Sequence, residues 1–158
     1  MCYRLCALLA LGNILSAATI TSGSATFTTG TTFFDSSPGA DFLFTGTTDH
    51  LFEIGWAIRG ANATAEVFLP DPNLTEQLSG NQLRFTWNSL PGGLSSVSGT
   101  LVYTLVENSA NLATLEVVMT LTNNNEVNES INLFNMADID LQPTAGDDRV
   151  NGGLGGLI

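Results

Sequence analysis

Strict alternation of apolar and polar residues constrains this chain more than any other feature. Leu83, Phe85 and Trp87 alternate with Gln82, Arg84, Thr86 and Asn88. Successive side chains of an extended strand point to opposite faces, so the stretch describes a strand with one buried face and one wet one. The pattern recurs at Leu115, Val117, Met119 and Leu121, set between Thr114, Glu116, Val118 and Thr120. Val97–Glu107 and Leu112–Thr122 are expected to form a long hairpin. Along His50–Arg59, His50, Phe52, Ile54, Trp56 and Ile58 share one face, and Leu51, Glu53, Gly55, Ala57 and Arg59 the other. Ile131–Leu141 is the final expected strand, with Ile131, Leu133, Ala137, Ile139 and Leu141 inward and Asn132, Phe134, Met136, Asp138 and Asp140 outward.

Turn residues punctuate these runs at Ser36-Ser37-Pro38-Gly39, Pro70-Asp71-Pro72-Asn73 and Pro91-Gly92-Gly93. Proline fixes φ and removes a donor, so each cluster ends a strand. Ala25–Phe34 opens the first sheet, Asp41–Phe44 is a short strand, Thr64–Leu69 is another, and Leu74–Gly80 reads as a loop or one helical turn. About seven to eight short strands with almost no helical pattern imply an all-β fold, an antiparallel β-sandwich, with a barrel as the alternative. The domain is expected over residues 19–150. The Gly-rich tail 151–158 is expected to be disordered or truncated, leaving the sandwich incomplete at its C-terminus.

The first eighteen residues follow a different rule. Arg4 precedes an apolar run from Leu5 to Leu11, extended by Ile14-Leu15 and closed by Ser16-Ala17-Ala18. A short apolar stretch ending in small residues is the pattern of a secretory signal peptide, here cut after Ala18. It falls short of the roughly 20 apolar residues of a spanning helix. Both cysteines, Cys2 and Cys6, lie inside it. The mature chain would start at Thr19 without cysteine, and its stability would rest on core packing or bound metal rather than disulfides.

Charge narrows the partners. The chain has four Lys plus Arg, all of them Arg, against fifteen Asp plus Glu, for a net charge of −11. An acidic surface repels phosphate backbones, which excludes nucleic acid as an expected partner and leaves divalent cations, neutral glycans or matrix components.

Several blocks carry a resemblance. Asp49-His50-Leu51-Phe52-Glu53 with Gly55-Trp56-Ala57-Ile58-Arg59, Leu83–Trp87, Met119-Thr120-Leu121-Thr122-Asn123, and Asn132-Leu133-Phe134-Asn135 through Ala137-Asp138-Ile139-Asp140-Leu141 resemble uncharacterised secreted bacterial proteins of the exosortase-sorted (PEP-CTERM) type. The resemblance spans about Ala25–Asp148 and implies a β-sandwich surface or matrix protein with no established enzymatic role. The sorting tail of that type, with its Pro-Glu-Pro signal, closing apolar helix and basic end, does not appear in this sequence. Separately, Gly146-Asp147-Asp148-Arg149-Val150 followed by Asn151-Gly152-Gly153-Leu154-Gly155-Gly156 is similar to calcium-binding Gly-Asp repeats. In those repeats glycines permit the tight turns and each Asp supplies an oxygen to the ion.

Three chemistries follow from the residues. Asp138, Asp140, Asp147 and Asp148 form a candidate Ca²⁺ site, since two carboxylates on one strand face could be completed by the Asp-rich loop beyond it; the competing reading is a solvated strand end with turn-forming aspartates. His50, the only histidine, could act as a base beside Asp49 in a secreted hydrolase, but no second histidine and no nucleophile-elbow motif accompanies it. Trp56, Trp87, Tyr103 and Phe34 are the aromatic candidates for a carbohydrate-binding module, although alternation assigns both tryptophans to the core. Three sequons, Asn62-Ala63-Thr64, Asn73-Leu74-Thr75 and Asn128-Glu129-Ser130, matter only in a glycosylating pathway. The expected function is therefore a non-enzymatic secreted, cell-surface or matrix protein, with the module and the hydrolase as alternatives. Calcium is testable by thermal unfolding with Ca²⁺ or chelator. Binding to the folded state must raise the midpoint, by about 2.7 kcal/mol of stability at a hundredfold excess over Kd, and an unchanged midpoint removes the site.

Overall fold

The computed structural model describes residues 17–30, 41–44, 49–51, 53–110 and 112–138. Within them lie ten strands: β1 (Thr19–Ser22), β2 (Ala25–Thr28), β3 (Asp41–Leu43), β4 (Glu53–Gly60), β5 (Val67–Phe68), β6 (Leu74–Ser79), β7 (Gln82–Trp87), β8 (Val97–Ser109), β9 (Leu112–Asn123) and β10 (Ile131–Asp138). They form three antiparallel sheets in the orders β1-β2-β3, β10-β4-β5 and β6-β7-β8-β9. The all-β, sandwich-like architecture expected from the alternation is what the chain adopts.

The four-stranded sheet supplies the largest share of the core. Leu83, Phe85 and Trp87 of β7 and Val97, Leu101, Tyr103 and Leu105 of β8 are all buried. Ile20, Ala25 and Phe27 of the β1-β2-β3 sheet and Ile58 of β4 pack into the same cluster. The Trp87 indole N–H donates to the Pro70 carbonyl at 2.8 Å, so the proline-rich turn closes one end of this core. At the other end Glu107 pins the β1–β2 turn. Its carboxylate accepts from the Ser24 amide and hydroxyl, and its own amide donates to Ser22 Oγ at 3.0 Å.

Two expectations are corrected. Leu74–Gly80 is strand β6 rather than a loop or helical turn. An edge strand needs only a backbone partner, and β6 finds one in β7 through Leu74↔Thr86 to Gln77↔Leu83, with Glu76 opposite Arg84 and 2.7 Å from its guanidinium. The second correction concerns β10. Its odd-numbered residues do face inward, but they are not buried like a central strand's: Ile131 is half-buried, Leu133 is 40 % exposed and Ala137 is exposed. β10 ends its sheet, and the core lies under β4.

Backbone packing between β4 and the turn after Leu90 is close. The Gly60 amide donates to the Gly92 carbonyl at 2.9 Å. Gly92 has φ +69°, and a Cβ there would meet the Ile58 carbonyl oxygen at 2.9 Å. Only glycine takes this conformation without strain. Gly92→Ala should therefore destabilise the fold by about 1–3 kcal/mol, measured as a lower urea midpoint at unchanged slope. Gly80→Ala, whose Cβ would meet nothing within 4 Å, should stay within about 0.5 kcal/mol.

Candidate functional site

The outer face of the β10-β4-β5 sheet holds the most distinctive surface among the described residues. Register decides its composition. Phe134 pairs with Ala57, Ala57 pairs with Phe68, Met136 with Gly55, and Asn132 with Arg59. Directly opposed residues share a face, so two phenyl rings flank a small residue in the middle strand. Phe134 is 40 % exposed, Phe68 49 % and Met136 43 %. Ala57 lies on this outer face, outside the core cluster, and is only 4 % exposed. Its burial fits cover by its large neighbours. One edge of the patch is polar: the Arg59 guanidinium stands 5.7 Å from the Phe134 ring centroid and 3.9 Å from Glu66 Oε2. A cation over a ring face is attracted by its quadrupole, which fixes the arginine against the patch.

The aromatic residues nominated by the sequence do not form this surface. The Trp56 indole points inward and donates to the buried Tyr103 hydroxyl at 2.9 Å. Trp87 and Tyr103 are 1 % exposed. Phe34 lies outside the described residues. The patch residues that sequence reasoning missed are Phe68, whose strand is too short to show alternation, and Phe134, which alternation places among the polar residues of its strand.

The acidic candidates stand differently. Asp138 is the last residue of β10 and pairs in register with Glu53. Asp140, Asp147 and Asp148 lie outside the described residues. Among the described residues no group of three or more His, Cys, Asp or Glu side chains could hold a metal ion.

His50 and Asp49 belong to a hairpin lock. Asp49 Oδ1 accepts from the amides of Phe42 at 3.1 Å and Leu51 at 3.2 Å, and the His50 amide donates to the Phe42 carbonyl at 2.9 Å. The imidazole meets the Phe42 ring edge-on, with centroids 6.4 Å apart. Asp49 is thus engaged with backbone amides rather than aligned on the histidine. Asp41 on β3 faces the same carboxylate. Burial, the charge of Asp49 and the hydrogen bond between the two carboxyl groups all push the Asp41 pKa up.

Comparison with protein-family profiles, with curated proteins and with solved structures finds no match to this chain. Among the described residues no helix is long and apolar enough to cross a membrane.

The raised Asp41 pKa has a signed consequence. The folded state holds this proton more tightly than the unfolded chain, so the contribution is full below the ordinary carboxylate range and lost as pH rises through the raised value. The urea midpoint of the wild type should fall relative to that of Asp41→Asn over that window. Equal pH dependence of the two proteins would show that Asp41 titrates normally.

Proposed function

We propose that this protein is a secreted, non-enzymatic component of the cell surface or extracellular matrix that makes contact through the outer face of its β10-β4-β5 sheet. The observation that carries the reading is the exposed Phe134–Ala57–Phe68 row with Met136 beside it and Arg59 at its rim. Exposed apolar patches bordered by polar groups mark interaction sites. The leader reading supports secretion, and among the described residues the first strand starts at Thr19, the residue that would follow the cut. The strong acidity suits a soluble extracellular chain.

A carbohydrate-binding module is the second reading, favoured by the same row. Its two phenylalanines sit two strand spacings apart, about 9.5 Å, and their exposed rings, which cover Ala57 between them, offer faces on which sugar rings would stack. Arg59, Glu66 and Asn132 would offer hydrogen bonds along one side. The hydrolase reading has less behind it, because the one histidine is packed on Phe42.

Affinity electrophoresis against neutral polysaccharides and adhesion to an extracellular matrix preparation separate these readings. Phe134→Ala should weaken retention on whichever surface binds at least about tenfold, equivalent to about 1.4 kcal/mol, while the unfolding midpoint changes little. N-terminal sequencing of the exported form should give Thr19. Hydrolysis of a glycan or ester that disappears in His50→Ala would overturn the non-enzymatic reading.

A further inference from the structure

The geometry points to a second copy of this chain as the partner of β10, paired antiparallel about a two-fold axis at Asn135. The inference goes beyond the outer-face reading and stands without it.

Backbone direction makes β10 available. The Trp56 carbonyl accepts from Leu69 at 2.8 Å, so the Trp56 main chain faces β5. Successive residues of a strand turn their N–H and C=O groups to opposite edges. Gly55, Ala57 and Arg59 therefore face β10, and their partners Met136, Phe134 and Asn132 give their backbone groups to β4. Leu133, Asn135 and Ala137 turn theirs away. Among the described residues no strand stands on that side. A two-fold at Asn135 pairs Asn135 with itself and Leu133 with Ala137 of the second copy, exchanging backbone hydrogen bonds at each pair. On the outer face the same register sets Phe134 against Met136 of the second copy, an aromatic–thioether contact. The result is a six-stranded sheet with the two patches continuous across it.

Charge argues for this edge. Each chain carries −11, so two copies repel wherever acids face each other. From Ile131 to Ala137 β10 has no charged residue. The other edges differ: β3 carries Asp41, β6 carries Glu76 and β9 carries Glu116. β1 is met by the turn at Gly80, whose carbonyl accepts from Thr21 at 2.9 Å, and β5 has only two residues. Exposed edges are ordinarily blunted by charge, and this one is not. An edge strand that is also apolar on both faces, with Leu133 on one side and Phe134 and Met136 on the other, matches its own antiparallel image.

Sedimentation velocity across a concentration series tests the pairing. The full chain should self-associate, and more tightly as salt screens the acids. Met136→Lys, at an exposed position, should weaken association at least about tenfold with an unchanged far-UV spectrum. Facing residues of a hydrogen-bonded pair have Cα atoms about 5.5 Å apart, within disulfide reach. With Cys2 and Cys6 replaced by serine, Asn135→Cys should oxidise to a covalent dimer, and Thr114→Cys, exposed on β9, should not. A monomer at every concentration and salt, a dimer indifferent to Met136→Lys, or equal cross-linking at Thr114 would overturn the inference. None of these results would touch binding by Phe134 in the monomer.

Discussion

The Tyr103 side chain is where the three sheets meet. It rises from β8, its ring lies 5.1 Å from Phe27 of the β1-β2-β3 sheet and 5.8 Å from Phe85 of its own, and its hydroxyl accepts the Trp56 indole N–H of β4. Aromatic pairs of this kind contribute about 0.5–1.5 kcal/mol each beyond the area they bury. The hydrogen bond matters for another reason: a buried hydroxyl or indole left unpaired costs about 1–3 kcal/mol. Burial pushes the phenol pKa well up, while the bond from Trp56 pulls against it. The group stays neutral, and the core never has to hold its charge. Trp56 in turn fixes the facing of β4. Once its indole points inward, Ala57 next to it and Arg59 two residues beyond must point outward. The exposed patch is thus a consequence of the core, set by a period of two.

That dependence explains what was legible in the sequence. Leu83, Phe85 and Trp87 were expected inside and are buried. Trp56 was assigned to the apolar face of its strand, and Phe134 and Met136 to the polar face of theirs; both assignments agree with the register. Alternation reports the face of a residue and says nothing about whether a neighbouring strand exists. β10 therefore looked like a core strand although it stands at an edge. β6 escaped because its apolar residues, Leu74 and Leu78, are four apart, a helical spacing, while its pairing rests on backbone groups that no side-chain pattern records. Phe68 escaped because β5 is two residues long. Of the four aspartates proposed to bind calcium, Asp138 alone falls within the described strands.

The absence of lysine gives this surface its character. Lysine on an edge strand is a common way to keep sheets from pairing, and this chain has none. Its edges are managed by acids, by the turn at Gly80, and by a strand too short to serve as a template. These devices differ in range. A turn or a short strand blocks contact sterically at any ionic strength. An acidic edge repels only within the Debye length, about 8 Å at physiological salt. A net charge of −11 keeps copies apart at a distance in dilute buffer, yet near physiological salt it leaves short-range contact to be decided by local composition. At Ile131–Ala137 that composition is apolar and uncharged. The acidic charge that repels copies at a distance is thus absent from this strand edge of the sheet on which the aromatic patch is built.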